Sequence, residues 1–74
     1  MSKYHWINDS IKIDFDVPRL VANTMQEAEE ADLNNEIGEY YGIADVLDVI
    51  CKECYVNGLL TKKQWDTITE RYPV

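Results

Sequence analysis

The sequence predicts an α+β domain that is mostly helical, with an N-terminal β-hairpin packed on two long helices and a short C-terminal helix. Residues 11–17 alternate strictly between apolar and polar side chains, which is typical of a strand. Apolar side chains recur at helical spacing through residues 20–31 and 37–54. A complete capping-box signal for the start of a helix follows at Thr61 and Gln64. With 74 residues, of which 46% are hydrophobic, the chain has the length of a single globular domain, 1–74.

The first predicted element is a β-hairpin over about residues 3–15. Asn8 and Asp9 suit its tight turn, since both residue types tolerate the positive φ that a two-residue turn requires. In that register Trp6 pairs with Ile11, and one face of the hairpin is apolar. Because an isolated hairpin is barely stable, this face is expected to lie on the helices.

Two long helices are predicted next, over about residues 17–32 and 36–57. Asp16 is expected to cap the first of them, and Pro18 suits its first turn. The second is apolar on two sides, which indicates a helix that is central in the fold or shared with another chain.

The short third helix is predicted over about residues 62–72. Thr61 is its expected N-cap, and Gln64, three positions later, closes a capping box.

The charge of the chain is strongly negative and unevenly placed. The net charge is −7, and no Lys or Arg occurs between Arg19 and Lys52. Like-charge repulsion disfavours direct binding to nucleic acid or to an anionic membrane, so the expected partner is a protein with a basic surface. The alternative is that the acidic side chains only form a solvated face that keeps the protein soluble.

If the acidic stretch binds a partner, its carboxylates and two neighbouring tyrosines are the expected contacts. One tyrosine of the pair is expected in the core and the other at the surface, where it would serve as an apolar anchor. The predicted partner-binding residues are Glu27, Glu30, Glu36, Glu39, Tyr40, Tyr41, Asp45 and Asp48.

A second surface is predicted on the central helix. Val46, Val49 and Val56 form an apolar strip apart from the main apolar face of that helix. Such a strip favours self-association, so a homodimer through this helix is the alternative functional hypothesis.

The sequence does not favour catalysis or metal binding. Cys51 and Cys54 have the spacing of zinc and redox motifs, but His5 is the only other soft ligand, whereas structural zinc takes four. Both cysteines are therefore expected to be buried free thiols late in a helix. His5 lacks the neighbouring residues of a nucleophile and base pair, so no enzyme activity, metal or cofactor is expected.

The chain is expected to be cytoplasmic. It has no run of about 18 apolar residues, and its start lacks the basic and long apolar segments of a signal peptide.

Two resemblances bear on function. Residues 57–65, Asn-Gly-Leu-Leu-Thr-Lys-Lys-Gln-Trp, resemble the turn of SHOCT-type helical hairpins, in which a Gly, two aliphatic residues and a Thr precede a second helix with an early aromatic. This resemblance implies an interaction or oligomerisation element without chemistry. In size and charge, the whole chain resembles small acidic proteins of phages and mobile elements, including anti-restriction and anti-CRISPR inhibitors. That resemblance implies an inhibitor or regulator acting as a DNA mimic, and it transfers no residue roles.

Overall fold

The computed structural model describes residues 3–73, and within this range it contains three helices and no strand. The helices are α1 (Arg19–Leu33), α2 (Ile37–Val56) and α3 (Lys62–Arg71). Each begins and ends within two residues of its range predicted from sequence. The fold is therefore helical, and the prediction of an α+β class with an N-terminal β-hairpin is wrong.

The predicted hairpin does not form because its backbone donors bind elsewhere. The N–H groups of His5, Trp6 and Ile7 donate to the carboxylate of Asp32, at 2.6, 2.8 and 3.0 Å. The N–H of Asn8 donates to the carbonyl of Arg71 at 2.8 Å. These groups would have formed the ladder to the second strand, so the pairing of Trp6 with Ile11 is also wrong. Residues 3–18 instead form an irregular segment, called here the N-terminal segment.

The alternating pattern of residues 11–17 has another cause in this fold. Ile11, Ile13 and Phe15 are half-buried, and the charged residues between them are exposed. One side of the segment thus packs against the helices, as Ile13 and Phe15 do against the core. Alternation reports which side of a segment is buried, and a segment without strand partners can show it equally well.

Both long helices end in the same hydrogen-bonded motif. After α1, the N–H of Glu36 donates to the carbonyl of Ala31 and the N–H of Asn35 to that of Asp32, both at 2.9 Å. After α2, Gly58 and Leu59 make the equivalent bonds to the carbonyls of Tyr55 and Cys54. This is the Schellman pattern, which places one residue in the left-handed region.

The left-handed residues of the two motifs are Asn35, with φ 58°, and Gly58, with φ 75°. Asparagine and glycine are the residue types that adopt this conformation at least cost. The first motif leaves only residues 34–36 between α1 and α2, so the two helices form a tight helical hairpin that packs along its length.

The helix starts differ from one another. At α3 the capping box is confirmed, because the N–H of Gln64 donates to the Thr61 hydroxyl and the N–H of Thr61 donates to the Gln64 side chain. At α1 the N-cap is Pro18, with no side-chain cap. The expectation that Asp16 caps this helix is therefore wrong.

One core joins the three helices and the N-terminal segment. The inward faces of α1 and α2 meet along the hairpin, α3 packs on α2, and Trp6 lies against the ring of Tyr40 with centroids 5.3 Å apart. The buried hydrophobic residues are Ile7, Val21, Ala28, Ala31, Tyr40, Ala44, Leu47, Cys51, Cys54, Leu60, Ile68 and Tyr72.

Arg71, the last residue of α3, binds the N-terminal segment to this helix. Its Nη1 donates to the carbonyl of Ile11 at 2.7 Å, and its Nε donates to the hydroxyl of Tyr72 at 3.2 Å. Its guanidinium also lies 3.7 Å from the carboxylates of Asp9 and Glu29. The segment is thus held at two places, at Asp32 near the end of α1 and at Arg71.

Candidate protein-binding groove

An open groove of about 440 Å³ runs between α1 and α2. Most of its floor is apolar, with Leu20 from α1 facing Ile43, Val46 and Ile50 from α2. Its lining residues are Leu20, Thr24, Glu27, Gly38, Glu39, Gly42, Ile43, Val46 and Ile50.

At the loop end of the hairpin the groove continues into a smaller concavity of about 200 Å³. The two share Glu27, Glu39 and Ile43, so they form one continuous surface. Glu30 and Glu36 complete the lining carboxylates. The four glutamates, called here the acidic end, come from the last turns of α1, the loop and the first turn of α2, which the tight hairpin brings together.

No cation among residues 3–73 forms an ion pair with the acidic end. Among the residues that the structure describes, the ion pairs join Lys62 with Asp66, and Arg71 with Asp9 and Glu29. None of these pairs includes one of the four glutamates. The acidic end therefore presents uncompensated negative charge beside an apolar floor, and in a concave surface that charge attracts a cationic ligand.

The groove leaves large aliphatic side chains uncovered. Leu20 is 60% exposed and Val46 is 52% exposed, while Ile43 and Ile50 are half-buried at the edge of the core. Single exposed aliphatic side chains are ordinary, but a contiguous apolar surface with a polar rim is typical of a binding site.

Two glycines widen the groove along α2. Gly42 lies inside α2 and Gly38 lies one turn earlier, in the first turn of the helix, and a Cβ built on either one meets no atom within 4 Å. Glycine inside a helix costs about 0.5–1 kcal/mol relative to alanine, and neither of these positions requires a glycine for packing within the chain. Their effect is to leave the backbone of α2 accessible from the groove.

The structure separates the predicted partner-binding residues into two sets. Glu27, Glu30, Glu36 and Glu39 lie together at the acidic end. The other four, Tyr40, Tyr41, Asp45 and Asp48, do not line the groove.

The two tyrosines differ as expected. Tyr40 is fully buried, and its hydroxyl donates to the carbonyl of Pro73 at 3.0 Å, so it is a core residue and cannot contact a partner. Burial, with Asp32 and Tyr41 nearby, raises the pKa of Tyr40 to about 12. Tyr41 is 44% exposed. Asp45 is exposed too, and Asp48 accepts a hydrogen bond from the indole of Trp65 at 2.9 Å.

Of the apolar part of this site, the sequence identified only Val46, and it assigned Val46 to the self-association strip. Ile43 and Ile50 look like core positions in the sequence, and Gly38 and Gly42 look like weak points of a helix. The available signal was the Gly-x-x-x-Gly spacing within one helix, beside a carboxylate-rich stretch without cations.

The valine strip lies on the surface of α2. Val46, Val49 and Val56 are 52%, 61% and 70% exposed. Only Val46 also lines the groove.

The cysteines are buried free thiols, as predicted. Burial, followed by the proximity of Cys54 and Asp48, raises the pKa of the Cys51 thiol to about 12. Cys51 is therefore protonated at neutral pH, whereas nucleophilic attack and metal ligation need the thiolate. Within residues 3–73, no three His, Cys, Asp or Glu side chains are grouped so that they could hold a metal ion.

In the described part of the chain, none of the helices has the length and apolar character needed to span a bilayer. No protein-family model, curated protein or solved structure matches this chain.

Proposed function

We propose that this protein is a non-catalytic, cytoplasmic protein-binding module whose acidic face occupies a basic surface of its target. The observation that carries the proposal is the acidic end, where Glu27, Glu30, Glu36 and Glu39 share one concave surface and form no ion pair with any cation of residues 3–73. Placing like charges together costs free energy in the isolated protein, and a cationic partner recovers it.

The charge also indicates what kind of surface the target has. A site that normally binds nucleic acid is lined with Lys and Arg that contact phosphates. Carboxylates at the acidic end would compete with those phosphates. The protein would then act as an inhibitor or regulator, as its resemblance to small phage and mobile-element proteins implies, without binding nucleic acid or membrane itself.

Charge reversal at the acidic end tests this proposal. Immobilised wild-type protein is used to capture partners from the native cell, and the association rate of each purified partner is then measured at low and physiological salt. Glu27→Lys with Glu30→Lys is expected to slow association by about tenfold or more, because long-range attraction acts mainly on the association rate. Added salt is expected to slow the wild type more than the variant.

Asp14→Lys with Glu70→Lys is the matched control, since both residues are exposed, neither lines the groove, and the net charge changes equally. It should bind nearly as fast as the wild type. An association rate that is insensitive to salt and to Glu27→Lys with Glu30→Lys would show that the acidity serves only solubility.

The second candidate function is a structural module that self-associates through α2. It is favoured by the exposure of Val46, Val49 and Val56 on one helix. A homodimer through this strip should dissociate in Val49→Glu, because the substitution buries an unpaired charge in the interface. Sedimentation measures this directly, and a wild-type protein that is monomeric at high micromolar concentration would contradict the self-association hypothesis.

A further inference from the structure

We propose that the groove between α1 and α2 is the docking site for one amphipathic helix of a partner protein, with its apolar stripe on the groove floor and its Lys or Arg residues over the acidic end. The proposal rests on the proposed function and specifies the partner segment that the protein recognises. The shape of the groove, its glycines and its charge each support it.

The groove has the length and lining that a short helix needs. Along α2 its lining extends from Gly38 to Ile50, which at 1.5 Å per residue is about 18 Å, or a little over three helical turns. Leu20 of α1 and Val46 of α2 are exposed in this groove, and Ile43 and Ile50 of α2 are half-buried beside them. A helix that binds a groove of this kind presents apolar residues at spacings of three and four.

The glycines allow the docking helix to approach closely. At Gly38 and Gly42 the backbone of α2 has no side chain above it, and no atom of the chain fills the space where a Cβ would point. A neighbouring backbone can therefore come nearer to α2 here than at any position with a larger side chain. The same feature makes the site easy to block, because a side chain added at Gly42 would enter the groove, and its Cβ meets no atom of the unbound protein.

The charge selects a foreign helix over a second copy of this chain. A two-fold interface through the groove would place the same surface of both copies in contact. Both acidic ends would then lie in the same interface, and neither copy has a Lys or Arg between residues 20 and 51 to pair with their glutamates. A helix with Lys or Arg at the end that covers the glutamates forms opposite-charge pairs instead.

A designed peptide tests the proposal. The probe is a peptide of roughly fourteen residues with leucines at helical spacing and lysines at one end. A second peptide of the same composition, with the leucines scrambled so that they share no face, controls for attraction by charge alone. Binding is followed by NMR of the isotope-labelled full chain. The amphipathic peptide is expected to shift the amides of Leu20, Thr24, Ile43 and Val46, and the scrambled peptide to leave them unchanged.

Two variants block the groove in different ways. Gly42→Leu fills part of the groove, and Leu20→Gln removes an exposed apolar side chain of its floor. Each variant is expected to bind the amphipathic peptide about tenfold or more weakly, as is found for residues at the centre of an interface. Gln26→Leu is the matched control, because this exposed residue of α1 does not line the groove, and it should leave the affinity unchanged. Circular dichroism of each variant verifies the fold.

The outcomes separate this inference from the proposed function. Suppose that the peptide shifts only the amides of the glutamates, and that Gly42→Leu does not change these shifts. This result would overturn helix docking and leave binding by the acidic face intact. Groove shifts that appear without peptide as protein concentration rises, together with a doubled mass by sedimentation, would assign the groove to a second copy. No saturable binding at millimolar peptide would also overturn the inference, while the charge reversal of Glu27 and Glu30 decides the proposed function independently.

Discussion

Asp32→Ala is expected to destabilise the protein by about 3–4 kcal/mol. The Asp32 side chain is completely buried, and its two oxygens accept three backbone hydrogen bonds, from His5 at Oδ1 and from Trp6 and Ile7 at Oδ2. Alanine leaves three donors without a partner, and hydrogen bonds to a charged acceptor are among the strongest in proteins. Stability is measured by urea unfolding.

Asp32→Asn refines this expectation. The amide has nearly the same shape but only one acceptor oxygen, and its NH2 group would face a backbone N–H donor. It should therefore destabilise the protein almost as much as alanine does. Asp45→Ala, at an exposed aspartate of α2, should change stability by less than about 0.5 kcal/mol. A loss below about 1 kcal/mol in Asp32→Ala, or rapid exchange of the amides of residues 5–7 in the wild type, would contradict the anchoring role of Asp32.

Arg71→Ala is expected to cost about 2–3 kcal/mol. Its guanidinium bonds the carbonyl of Ile11 and the hydroxyl of Tyr72, lies near Asp9 and Glu29, and has a side chain only 12% exposed. Burial alone would lower the pKa of Arg71, but the hydrogen bond to Tyr72 and the charge of Glu29 raise it above its ordinary value. Tyr72 and Glu29 thus stabilise the charged form of Arg71.

Arg71→Lys separates charge from geometry. A lysine keeps the positive charge but cannot bond Ile11 and Tyr72 at once, because it lacks the planar fork of the guanidinium. It should recover less than half of the stability lost in Arg71→Ala by thermal unfolding. Lys63→Ala, at an exposed residue of α3, is the control and should be nearly neutral. Full recovery by lysine would show that charge alone matters at this position.

The helices could be predicted from the sequence because their signals are local. The spacing of apolar residues and the Thr61 capping box lie within each helix, so no knowledge of distant residues is needed. The N-terminal segment could not be predicted in this way. Its turn residues and alternation match a hairpin, and nothing within residues 3–15 reveals that its donors bind a carboxylate 25–27 residues away.

The sequence does contain one signal for the role of Asp32. Asp32 follows Val21, Met25 and Ala28 at spacings of four, three and four residues, so it lies on the buried stripe of α1. A carboxylate on an apolar stripe can be buried only if hydrogen-bond donors surround it, because burying an unpaired charge costs much free energy. For the groove, the absence of cations indicated the acidic end, whereas its apolar floor could be recognised only once α1 and α2 were placed side by side.

The attachment of the N-terminal segment also has a consequence for the order of folding. The contacts that form the α1–α2 hairpin join neighbours across a three-residue loop, and such local contacts close quickly. The N-terminal segment can attach to α1 only after Asp32 has been synthesised. Its second attachment, from Arg71 to Ile11, spans 60 residues. During synthesis residues 5–7 can therefore attach to Asp32 once the helical hairpin has assembled, whereas Asn8 and Ile11 gain their partner only after Arg71 has left the ribosome.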